Sequence, residues 1–442
     1  MGSAKAHIAS TSHELLVRST IQITERHHAY LTSGNLQDAM LIRRENRSTG
    51  RRWLRRIGCG IVAVICAILG LSAATNLFFP ARSDPADRLT DLDKARVAEA
   101  FRLRRTVGDS IWRGWSNATI PVIVYNEAYA FLSGTDDPGP GWRTVPQNLA
   151  RGGPWESVPD DSIDGRQYYR QRLVDEHASP QAFTVRVGEL WAASMTTKDW
   201  TTIGMGNEIR DSLPFAIRVF VPYRLIARIF LGLAMNTDGY ICAIEHESFH
   251  AYQGMVSANR LAGAETVLTH LGKTYPWADP PFNEAWKAEL NALADALSAT
   301  QQKRTVDFAD RFIALRRARR KTFHLDSALV NLERLREWEE GLGKYTEVAI
   351  WKCAASDTAY KPMQALSGDP DFNGYRNFGG KWAQELAMLR LQSRADDIRF
   401  YYAGMAQAFL LDRLNPEWKT TILQGDVFLE DLLSEALTNR RE

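Results

Sequence analysis

The sequence predicts an α+β protein, mostly helical, placed behind a single-pass N-terminal transmembrane helix. Three observations carry that reading. Residues 57–79, "IGCGIVAVICAILGLSAATNLFF", contain no charged side chain, and roughly 20 apolar residues suffice to cross a bilayer as a helix. Between residues 118 and 222, short β-like runs alternate with Gly/Pro/Trp-rich turns. From Tyr223 onward the apolar residues recur at helical spacing almost without a break.

Each element follows in order. Residues 1–56 read as a basic cytoplasmic tail. Its "SHELLV" starts like a later motif, but Val17 stands where a second histidine would be needed. Seven arginines crowd residues 43–56 against the single acid Glu45. Basic residues stay cytoplasmic, so they orient segment 57–79 with the tail inside and the remainder outside. A rival reading starts translation at Met40, making the same run a signal-peptide core with Ser72-Ala73-Ala74 as a cleavage site. In both readings the main domain is exported.

Residues 80–117 form a linker and a juxtamembrane helix from Asp91 to about Trp115, with apolar spacing through Leu92, Val97, Phe101 and Val107. The exported domain spans 118–442. Its β-like runs are "IPVIVYN" (120–126), "AFTVRVGELWAAS" (182–194) and "FAIRVFV" (215–221), which predict a small antiparallel sheet, the last as an edge strand able to pair with an extended peptide. Helices follow at 223–235, 239–257, 283–300, 303–321, 326–353, 380–393, 399–413 and 427–438.

Composition narrows the function classes. Over 442 residues the net charge is only +2, which gives no basic footprint for nucleic acid. Of four cysteines, Cys59 and Cys66 fall in the membrane segment, so no disulfide framework can hold the fold.

The chemistry concentrates in "ICAIEHESFHAYQG", 241–254. Thr237 or Asp238 reads as the helix N-cap. His246 and His250, four residues apart, then share a helix face. Two imidazoles so placed can hold one Zn2+. Glu247, offset along the helix, suits the general base that takes a proton from zinc-bound water and passes it to a leaving amine. A third ligand must come from a later helix, and Glu340 in "EGLGKYTE" and Glu289 in "EAWKAELNALADAL" stand out, ahead of Glu284 and Glu265. Glu289 has an ordinary alternative, a buried ion pair with an arginine of "DRFIALRRARR" (310–320). Gln253, seven after His246, can hydrogen-bond a ligand from behind. Tyr401 or Tyr402, with Tyr402 taken as the site residue, can donate to an oxyanion.

HExxH followed by "EGLGKYTE" resembles the gluzincin metallopeptidases, whose pattern reads EGLAxYxE; Gly343 stands where alanine is usual. That resemblance implies a zincin-like domain with a helical C-terminal half, and a zinc site of His246, His250 and Glu340, with Glu289 kept as the alternative third ligand. The longer layout, with "RFYYAGMAQAFLLDRLNPEWK" (399–419), also resembles uncharacterised exported bacterial proteins with an HExxH core. The expectation is a membrane-anchored, extracytoplasmic zinc metallohydrolase acting on a peptide or protein. The alternative is an exported metal-binding or envelope-structural protein without turnover.

Overall fold

A computed structural model describes residues 47–174, 180, 185–394 and 396–440; residues 1–46 of the expected tail, and 182–184 of the second β-like run, lie outside the described residues. The first helices are α1 (Arg47–Phe78) and α2 (Asp91–Val107). Eight strands follow: β1 (Val122–Tyr125), β2 (Tyr129–Ser133), β3 (Pro140–Thr144), β4 (Ala150–Pro154), β5 (Glu156–Ser157), β6 (Tyr169–Arg172), β7 (Val185–Val187) and β8 (Leu190–Thr196). Then come α3 (Lys198–Ser212), α4 (Phe215–Arg218), α5 (Tyr223–Ala234), α6 (Thr237–Leu271), α7 (Pro280–Ser298), α8 (Gln302–Thr322) and α9 (Ser327–Arg336). A π-helical turn, Glu337–Gly341, leads into α10 (Leu342–Ser356), followed by α11 (Phe378–Leu391), α12 (Ile398–Leu414), α13 (Lys419–Ile422) and α14 (Leu429–Thr438).

The chain divides into two compact units, one holding α1 and residues 201–234, the other residues 83–200 and 235–442. In the first, Arg56–Phe78 is the one helix among the described residues long and apolar enough to cross a membrane, and only 6% of its most apolar window is buried.

In the second unit the sheet is larger than expected. Its order is β4-β3-β7-β8-β1-β2-β6-β5. Every pairing is antiparallel except β1 with β8, which run parallel with Val122 opposite Ala193. The sheet curls into a nearly closed barrel: on β4, Gly153 N–H donates to Gln171 Oε1 of β6, 2.8 Å away. Alternation along β1 sends Ile123 and Tyr125 into the barrel interior with Leu132, Trp142 and Val185. Val122 and Val124 face the other way, into the main core.

That main core lies between the barrel and the helices. β8 turns Trp191, Ala193 and Met195 toward it, and α6 packs close enough that a Cβ on Gly254 would sit 2.4 Å from the Trp191 ring. Only glycine permits that approach. The N-cap of α6 is Asn236, accepting from Gly239 N–H. Asp238 instead accepts from the backbone of Asn373 and Tyr375. The helix runs beyond the expected 257, kinking at Ser257, whose hydroxyl donates to the Leu423 carbonyl.

One expectation fails for a local reason. "FAIRVFV" is no edge strand: Pro214 caps a short helix, α4, with no buried residue. The helix expected over 326–353 runs from Ser327 to Ser356 without a break but widens into the π-helical turn at Glu337–Gly341.

A buried ionic network fixes the helical half. Arg319 of α8 reaches Glu289 of α7 and, at 2.6 Å, Glu333 of α9. Arg316 joins Glu289 at 3.1 Å to Glu337 of the π turn at 2.8 Å. Gln407 of α12 donates to the same Glu337 carboxylate, 2.8 Å away. Burial raises the Glu333 pKa, but Arg319 and Arg320 outweigh it and hold it down at about 2. Its stabilising contribution is therefore complete above pH 4.5 and is lost as pH falls through about 2. Removing one buried partner strands the others, so Arg319→Ala should lower unfolding free energy by about 3–5 kcal/mol in denaturant titrations at pH 7. A loss below about 1 kcal/mol would contradict the network's role.

Candidate metal centre

The site starts from α6. Its 3.6-residue period puts the rings of His246 and His250 side by side, centroids 4.8 Å apart. Both side chains are nearly buried, at 7% and 5% exposure.

The third group arrives 94 residues later. Glu340 Oε2 lies 3.4 Å from His246 Nε2 and 3.3 Å from His250 Nε2. One ligand atom from each of the three residues falls within 4.8 Å of the others. The π turn delivers this carboxylate. Such turns widen a helix locally and recur at functional sites. Here Gly341 meets Gly404 of α12, where a Cβ would lie 2.5 Å from the Gly404 Cα.

Partners behind the three groups orient them. His250 Nδ1 is 2.8 Å from Gln253 Oε1, and Gln253 Nε2 donates to the Trp338 carbonyl at 2.9 Å. The amide's oxygen thus faces the ring, so Nδ1 carries the proton and the Nε2 lone pair points to the centre. His246 Nδ1 faces Glu347 Oε2 at 3.6 Å. Glu347 is itself held by Lys344 at 2.7 Å and Lys381 at 3.5 Å. Arg336 donates to Glu340 Oε1 at 2.8 Å and to Asp397 at 2.8 Å. Tying down Oε1 leaves Oε2 to face both imidazoles.

The electrostatics favour a cation. Burial alone would lower the His246 pKa, but the carboxylates of Glu340, Glu347 and Glu247 outweigh it and hold the ring at about 10. For Glu340, burial raises the pKa, but Arg336 and the two histidines together bring it well below the ordinary range. Carboxylates that hold a proton on His246 this strongly would equally favour a bound cation in its place.

The other expected residues are distributed as follows. Glu247 is half-buried and next to His246; its charge, after burial, raises the Tyr125 hydroxyl pKa at the end of β1. Glu289 is not brought to the histidines: its carboxylate is taken by Arg316 and Arg319, because an acid at the fully buried face of α7 requires cationic partners. Gln253 sits behind His250, where the sequence puts it. The tyrosine changes. Tyr401 stacks on His246 at 5.9 Å and 23° and hydrogen-bonds Glu340. Tyr402 turns to Glu385 and Lys344 instead, since adjacent residues on α12 point about 100° apart.

Sequence reasoning assigned no role to Glu347, Arg336 or Gly343. Glu347 had a signal: it closes "EGLGKYTE", seven residues after Glu340 and so on the same face. At Gly343 a Cβ would stand 2.7 Å from His246 Nε2 and 3.0 Å from His250 Cε1. The missing methyl leaves room for the two rings.

In comparisons with protein-family models, curated proteins and solved structures, none matches the chain.

The groups behind the three candidate ligands should tune affinity as well as folding. Glu347→Gln and Gln253→Met are each expected to weaken zinc binding by about 10–100-fold in chelator competition. Each change also strands a buried partner, Lys344 or the Trp338 carbonyl, so the metal-free variants should melt below wild type while remaining folded. Unchanged zinc affinity in both variants would contradict these assignments.

Proposed function

We propose that this chain is a membrane-anchored zinc metallohydrolase with its catalytic domain outside the cytoplasm, most simply a peptidase. The observation that carries the reading is the convergence of His246, His250 and Glu340, with Glu247 on the same helix. Two neutral imidazole nitrogens and one carboxylate oxygen are a donor set suited to zinc with one position left open. His246, His250 and Glu340 would hold the ion, which when bound supplies a Lewis acid and lowers the pKa of water.

The remaining roles belong to the chain. Glu247 accepts a proton from the attacking water and delivers it to the departing amine, so its carboxylate must alternate between base and acid. Tyr401, stacked on His246, donates its hydroxyl to Glu340 and on releasing that bond can turn it to an oxygen gaining negative charge. Gln253, Glu347 and Arg336 keep the three metal-binding side chains in register. The peptide bond as substrate is supported by the likeness of "HESFH" and "EGLGKYTE" to the gluzincin pattern.

Anchoring is supported by α1, whose apolar stretch follows the arginine cluster of residues 43–56; a basic flank of that kind favours a cytoplasmic N-terminus.

Elemental analysis of the purified full chain should give about one zinc per chain. His246→Ala and Glu340→Ala should lose it. Glu289→Ala should keep zinc but lose stability. Glu247→Gln should keep zinc while turnover of a peptide library falls by about 10^2–10^4. Zinc without any Glu247-dependent turnover would leave a metal-binding protein rather than a hydrolase. Absence of stoichiometric zinc in the wild type would overturn the metal reading.

A further inference from the structure

We propose that residues 213–234 form a second membrane-contacting element, seated in the interface of the bilayer crossed by α1. The inference rests on the anchored reading of α1 given above.

Exposure makes the first argument. Outside α1, twelve large hydrophobic residues are exposed among the described residues, and six of them fall within residues 215–229. They are Phe215 at 84%, Val219 at 56%, Ile229 at 54%, Ile217 at 46%, Phe220 at 44% and Ile226 at 41%. Isolated exposed apolar residues are ordinary, but a contiguous group marks a surface that is covered in use. On α5 the opposite face is already occupied: Ala227 is fully buried and Leu231 nearly so. The outward face of Ile226 and Ile229 is therefore additional apolar surface, not a misplaced core.

Attachment makes the second. The segment is bonded to the end of α1 within one compact unit. Asn76 Nδ2 donates to the Val221 carbonyl at 3.0 Å, and Arg224 donates to the carbonyls of Asn76 and, at 2.8 Å, Phe79. Arg228 lies 5.4 Å over the Phe79 ring. These contacts fall where a spanning helix leaves the hydrocarbon, because the apolar stretch of α1 ends at Phe78. An element fixed at that level lies in the headgroup region, where Leu77 and Phe78 at the end of α1 are also exposed, at 80% and 86%.

Charge makes the third. Residues 213–234 contain Arg218, Arg224 and Arg228 and no acid. Apolar and aromatic side chains with interspersed arginines are the composition of helices that lie in the membrane interface, where the long cationic side chains reach the phosphates. The same composition explains why "FAIRVFV" reads as a strand while folding as a short exposed helix, Phe215–Arg218, and a turn. Its apolar residues face the lipid interface.

The test uses the full chain with Cys59, Cys66 and Cys353 changed to Ser, Cys242 being fully buried. Single-cysteine positions Phe215→Cys, Ile229→Cys, Ile65→Cys and Lys303→Cys carry a fluorophore. The protein is reconstituted into phosphatidylcholine–phosphatidylglycerol vesicles holding spin-labelled lipid at the headgroup or at mid-chain. Headgroup spin label should quench positions 215 and 229 several-fold more than position 303, and mid-chain label should quench position 65. Quenching at 65 with none at 215 and 229 overturns this inference and leaves the anchor standing. No quenching at 65 overturns the anchor. If 215 and 229 are then still quenched, the segment binds lipid on its own; if they are not, both readings fall. Shielding of 215 and 229 from aqueous iodide without lipid quenching would assign the patch to a second copy of the chain and overturn the inference.

Discussion

The candidate site depends on one long-range approach: Glu340 must be carried to within 3.4 Å of His246, 94 residues earlier in the chain. No local preference enforces that distance. It follows from two helices held at close range, α6 against the barrel through Gly254 and Trp191, and the π turn against α12 through Gly341 and Gly404. Each contact uses a glycine where any side chain would push the backbones apart. The buried ions do the rest. Glu337, in the same turn as Glu340, is gripped by Arg316, and Arg336 grips Glu340 itself. A charged, desolvated network of this kind contributes little net stability for its size. Here it defines one position for the carboxylate.

The arrangement also separates two kinds of buried glutamate. Glu289 and Glu333 are satisfied by arginines and close on themselves. Glu340 gives only one oxygen to an arginine, and its other oxygen faces two imidazoles. Glu347 repeats the pattern, with lysines at one oxygen and His246 at the other. Carboxylates shared between a fixed cation and a histidine hold the ring's tautomer and raise its basicity. This difference in partners, rather than burial, distinguishes the metal-ready acids from the structural ones.

Legibility in the sequence followed the range of the interactions involved. The His246–His250 pair could be read because a helix converts a four-residue spacing into a shared face. Glu340 and Glu347 were within reach because seven residues also return to that face. Arg336 was not legible, nor was the choice of Tyr401 over Tyr402, since these come from Asp397 and from the packing of α12 on the π turn. The barrel was hidden for another reason: β4 is "ARGGP" and β5 is "ES", all exposed, so neither shows the apolar alternation that announces a strand. In "FAIRVFV" the alternation was present, but Pro214 and Pro222 bracket it.

The central claim is that His246, His250 and Glu340 together hold one metal ion. Anomalous diffraction at the zinc edge from crystals of the full chain tests it most directly. A single strong peak is expected, about 2.0–2.2 Å from a nitrogen of His246, a nitrogen of His250 and an oxygen of Glu340. A peak bound by other residues, or stoichiometric zinc that leaves Glu340 on Arg336 alone, would contradict it.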